Sequence, residues 1–184
     1  MKKFSIILLL LVTACSPKKI DQTPVQQITL ELDRPRMEAI IKLMPNILRK
    51  SEEFKQQANT SKVTTVEYNR KFYQYLFEDQ DFAMKLNDAG FEDTLDYENF
   101  YTIMIEMYVL LLKQPEVLDT AVVSIPSYNK EVTSLLLKKA QEPNNQRLVE
   151  TLNKLQYELT VYKNLVLVNA FMGELNSLNK KDDK

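Results

Sequence analysis

From about residue 33 to residue 178, apolar side chains recur at spacings of three and four, the period of helices that bury one face. One stretch departs from that rule. Between Tyr97 and Leu112 only Glu98 and Glu106 are charged. Tyr97, Phe100, Met104, Met107, Tyr108 and Leu111 share one helical face, while Ile103, Ile105, Leu110 and Leu112 put apolar groups on others. A helix that is apolar nearly all round is buried nearly all round. The stretch is shorter than the ~20 residues that cross a bilayer. It therefore predicts a core helix that amphipathic helices cover.

The covering elements follow from caps and breakers. Asp33 suits an N-cap and Pro35 a first turn. Met37, Ile40, Ile41, Met44, Ile47, Leu48 and Phe54 then form one stripe that ends near Ala58. Pro45 lies inside it, which predicts a kink or two abutting helices. Asn59 to Ser61 reads as a break. Thr64 with Glu67 three residues on is a capping-box pattern and opens a helix to about Glu78. Asp79 caps a short helix to Ala89, with Gly90 as its left-handed terminator. Pro115 ends the central helix. Val117, Leu118, Ala121 and Val122 then fit a helix, although Thr120 to Ile125 is β-branched enough for a strand. Pro126 and Ser127 open another helix that ends before Pro143. Asn144 or Asn145 caps a long final helix on Leu148, Leu152, Leu155, Leu159, Tyr162 and Val166, whose apolar face shifts at Leu165, Val168, Met172 and Leu175. The pattern predicts an all-α, single-domain bundle of six or seven helices over residues 33–178, with a charged tail at 179–184.

Composition narrows the chemistry. The chain has 184 residues, 45% of them hydrophobic, enough for one sizeable core. It has only two glycines, which disfavours sheets and phosphate-cradling loops. Its 24 basic and 25 acidic residues nearly balance, and no basic block points to nucleic acid. Histidine is absent, which removes the usual general base and the commonest zinc ligand. Glu98 and Glu106, with Thr102 and Lys113, form a polar seam on the central helix. It reads as the edge where a buried helix meets water. Asp79, Asp81, Asp88, Glu92, Asp93 and Asp96 crowd one region but lack EF-hand spacing. The five methionines Met37, Met44, Met104, Met107 and Met172 fall on apolar faces and read as core filling. The expectation is a non-enzymatic protein without metal or cofactor.

The N-terminus carries an address. Lys2 and Lys3 precede an apolar run from Phe4 to Val12, too short to span a bilayer, and Val12-Thr13-Ala14-Cys15 follows. This order resembles the signal and lipobox of bacterial lipoproteins. The resemblance covers residues 1–15 alone. It implies that residues 1–14 are removed and that Cys15 carries lipid, several acyl chains being what holds a protein firmly at a membrane. Ser16 replaces the aspartate that resembles an inner-membrane retention signal in enteric bacteria, so the outer membrane is the expected location. Residues 15–32 read as a polar tether with Pro17 and Pro24, able to extend up to ~60 Å at roughly 3.3 Å per residue.

These observations converge on a membrane-tethered binding or interaction module, with a carrier of a small apolar ligand in a cavity between helices as the second class. The helix after Thr64 offers the candidate surface. Tyr68, Phe72, Tyr75 and Leu76 occupy one face, and Val66, Tyr73 and Phe77 another. The expectation is that Tyr73 and Phe77 are exposed and meet a protein or ligand, since aromatics are enriched where proteins bind.

Overall fold

A computed structural model describes residues 30–57 and 64–180. The signal and Cys15, the break expected at 59–61 and the last four residues lie outside the described residues. Among those described, seven α-helices and no strand are present: α1 (Arg34–Gln57), α2 (Thr65–Glu78), α3 (Gln80–Asp88), α4 (Thr94–Lys113), α5 (Val117–Gln141), α6 (Gln146–Asn169) and α7 (Met172–Lys180). Leu30 to Asp33, which lead into α1, are irregular.

The chain bundles around α4. Tyr97, Phe100, Tyr101, Ile103, Met104, Ile105, Met107, Tyr108 and Leu111 are all buried there. A fully buried large apolar side chain contributes roughly 1.5–3 kcal/mol, so no other helix repays its ordering as well. Burial is not complete all round: Leu112 is half exposed at the last turn. Helices α2 and α6 pack directly on α4, α1 packs on α2 and α7, and α3 folds back on α2. The rings of Tyr73, Phe91 and Tyr101 surround Tyr97, with centroids 5.4, 5.4 and 5.7 Å away.

Capping set most helix ends as the sequence predicts. Asp33 accepts from the Arg36 N–H, Thr64 from Glu67, Asp79 from Phe82 and Asn145 from Leu148. Asp93 does the same for α4 through the Asp96 N–H. After α3, the Gly90 N–H donates to Asn87 and the Phe91 N–H to Leu86, a Schellman closure that needs the positive φ of 90° at Gly90. That turn delivers Phe91 into the core. The Arg36 guanidinium lies over the Phe91 and Phe100 rings and bonds Asp96 at 3.0 Å, which ties the start of α1 to the start of α4.

Three expectations about breaks are corrected. At Pro45 the alternative of two abutting helices does not hold: α1 is a single helix, because Met37, Ile40, Met44 and Ile47 hold both halves against one core and Pro45 itself is exposed. Helix α5 likewise runs through Pro126: the segment from Val117 is helical, and no separate helix starts at Pro126. Its halves are each fixed by packing, through Ala121 before the proline and Val132 after it. Tertiary burial outweighs the ~3 kcal/mol that an interior proline costs. Conversely, the long final helix is two helices. The Ala170 and Phe171 N–H groups bond back to Leu167 and Val168, a tightened turn that buries Phe171 under the Arg34 guanidinium. The shift of apolar face at Leu165–Leu175 is this break. Helix α7 then continues to Lys180, two residues into the expected tail.

At the junction of α2 and α3, Asp79 caps α3 and pairs with Lys50 of α1. The Lys50 ammonium, and then the Phe82 N–H, hold the Asp79 carboxyl below its usual value of 3.8. Hydrogen bonding to Asp79 raises Lys50 in turn, against the opposing effect of burial. An acid with a lowered folded value contributes stability above its unfolded value and loses it as pH falls through the folded one. Wild type should therefore lose its advantage over Asp79→Asn as pH drops from about 6 to about 2, since asparagine keeps the cap and lacks the charge. Denaturant titration across that range checks this; a difference independent of pH would contradict it.

Candidate interaction surface

The expected surface on α2 is not exposed. Tyr73 is only 4% exposed and lies with Tyr97 and Tyr101, its ring 5.4 and 6.1 Å from theirs. Burial, then the charges of Tyr101 and Glu98, push its hydroxyl well above the ordinary tyrosine value. Phe77 is half-buried, 6.1 Å from Tyr97. The opposite face of α2 meets α1, where Phe54 contacts Tyr68, Phe72 and Tyr75. Both aromatic faces are thus used internally: α2 is a slab between α1 and α4. The pattern of two apolar faces was legible; that each had a partner was not.

The polar seam of α4 is a surface edge. Glu98 and Thr102 are half-buried, and Glu106 and Lys113 are exposed. Glu98 and Glu106 stand two turns apart, ~12 Å along the axis. Desolvation raises the Glu106 carboxyl, but no second group converges on it to share a proton. The acidic region is likewise occupied: Asp79 and Asp93 cap helices and Asp96 bonds Arg36. Among the described residues no three His, Cys, Asp or Glu side chains are grouped to hold a metal. No described helix is long and apolar enough to cross a membrane. Met37, Met44, Met104 and Met107 are buried and Met172 is half-buried, as core filling requires. Cys15 lies outside the described residues.

The unspent apolar surface is on α5. This helix and α6 form a hairpin with its own small cluster: Val132, Leu152, Leu155 and Leu159, with Ile125, Tyr128 and Leu135 against them. All seven belong to these two helices. From Ile125 to Gln141 the hairpin is an arm ~24 Å long at the helical rise. Of the 25 residues in α5 only Ala121 and Val132 are buried. On its outer side Val122, Val123, Leu136 and Leu137 are 54%, 78%, 46% and 65% exposed. Single exposed apolar residues are ordinary; two pairs of them on one side of one helix, with the exposed Pro126, Lys130 and Thr133 between, are less so.

The other end of α6 fixes where the chain arrives from its N-terminus. Asn164 is fully buried, and its side chain accepts from the Leu32 N–H at 2.8 Å and donates to the Leu30 carbonyl at 3.2 Å. Lys163 pairs with Glu31 beside it. The arm tip at Gln146 lies eighteen residues back along α6, ~27 Å away.

No protein-family model, no curated protein and no solved structure matches this chain. The surface reading rests on the geometry alone.

Tyr73→Ala should destabilise the fold by about 3–5 kcal/mol, as for a buried ring. Val123→Ala, on the outer side of α5, should change stability by less than about 0.5 kcal/mol. Chemical denaturation of both variants measures the contrast; a loss below about 1 kcal/mol at Tyr73 would return that residue to the surface.

Proposed function

We propose that this protein is a lipid-anchored interaction module without enzymatic activity, and that the outer face of α5 is its contact surface. The observation that carries the reading is the exposed Val122, Val123, Leu136 and Leu137 on a helix whose other side is already packed on α6. The lipid on Cys15 is inferred from the lipobox resemblance. Ser16 next to it favours the outer membrane. The Asn164 clamp lies at the opposite end of α6 from the arm tip, which suits presenting the Leu136 and Leu137 part of the surface away from the anchor. An exposed apolar side on an arm favours interaction over carriage of a ligand within the bundle.

Two measurements on the full chain in its own membrane test this. A fatty-acid analogue should label wild type and not Cys15→Ala; equal labelling contradicts the anchor. A photoreactive side chain at Leu137 should give discrete protein adducts, whereas one at Lys154, exposed on the charged side of α6, should not. Equal yields from both positions would remove α5 as the surface.

A further inference from the structure

Helix α5 carries two seams, and only one is filled. Ala121, Ile125, Tyr128, Val132 and Leu135 recur at alternating spacings of four and three and point inward, most of them to α6. Two residues earlier the same rhythm repeats as Asp119, Val123, Pro126, Lys130, Thr133 and Leu137. All six of these are exposed. Alternating spacings of four and three are what one helix presents to another helix. A helix with a single partner needs one such seam.

The outer seam is symmetric in its chemistry. Val123 and Pro126 form its centre, with Asp119 four residues before the valine and Lys130 four residues after the proline. Neither Asp119 nor Lys130 pairs with another described residue. If two α5 helices lie antiparallel about a two-fold axis between Ser124 and Ile125, Val123 of each meets Pro126 of the other. Asp119 of each then meets Lys130 of the other, twice over. Such a self-complementary patch closes as a dimer. A parallel pairing would set like charges side by side, which disfavours it.

We propose, resting on α5 being the contact surface, that its occupant is a second copy of this chain, docked antiparallel through Asp119, Val123, Pro126 and Lys130. The seam from Asp119 to Lys130 is ~17 Å long on a helix ~10 Å wide. That footprint is well below the ~800 Å² per partner of a stable complex, so the pair is weak in free solution. Anchoring both copies to one membrane raises their effective concentration and makes the contact count.

The test uses the full, lipidated chain in membranes, carrying two different epitope tags and a photoreactive side chain at Val123. Wild type should give an adduct of twice the chain mass that contains both tags. Asp119→Lys or Lys130→Asp alone should lower its yield at least about fivefold, since each turns two attractive contacts into repulsive ones. The double swap should restore it, and circular dichroism of each single variant should match wild type, so that the loss is one of pairing and not of folding. A self-adduct indifferent to all three variants would overturn this pairing. Adducts holding only a different protein would overturn self-association and leave α5 as an interaction surface. No adduct from Val123 or from Leu137 would overturn both.

Discussion

The structure depends on hiding α4. A 20-residue helix with nine buried side chains cannot face water, and it cannot be covered by one neighbour. Its aromatic end, around Tyr97 and Tyr101, takes α2 and the Phe91 turn; its other faces take α6 and, through the Tyr108 hydroxyl bonded to Asn176, α7. Burying tyrosines this deeply has a local cost. The Tyr97 hydroxyl is enclosed and makes no hydrogen bond to another described residue, and burial pushes the Tyr101 hydroxyl up to about 12. An unmet buried hydroxyl costs about 1–3 kcal/mol, which the edge-on and stacked rings around it must offset.

The same demand explains why the arm is thin. Helix α6 spends its C-terminal half on the main core through Leu165 and Val168. Its N-terminal half then reaches beyond α4 with only α5 for company, and the four side chains buried there are one small cluster. The outer side of α5 therefore faces water, with Val122, Val123, Leu136 and Leu137 exposed beside Asp119, Lys130 and Thr133.

Much of this was legible in the chain because helices announce themselves locally. The 3.6-residue period, the cap residues Asp33, Thr64, Asp79 and Asn145, and Gly90 after α3 all act within a few residues of themselves. The failures came where the deciding interaction was distant. Pro45 looks like a break until the buried residues on both sides of it are found on one core, and Pro126 until Ala121 before it is found on the main core and Val132 after it on the hairpin's own cluster. Tyr73 looks available until Tyr97 and Tyr101, more than twenty residues on, are seen to enclose it. The outer α5 seam is not legible in the sequence because Pro126 falls inside it and reads as the start of a second helix. Only a continuous helix reveals the rhythm from Asp119 to Leu137. The expected lipid anchor rests on the first fifteen residues, which lie outside the described ones.

A core built on α4 with a lightly held arm implies a hierarchy of local stability. Native-state hydrogen exchange on the chain in dilute detergent solution measures it most directly. Amides of α4 from Tyr97 to Leu111 should exchange only through global unfolding, while those from Asn129 to Gln141 and from Arg147 to Leu155 should exchange through local opening of lower free energy. Protection of the arm equal to that of α4, or faster exchange in α4 than in the arm, would contradict the account.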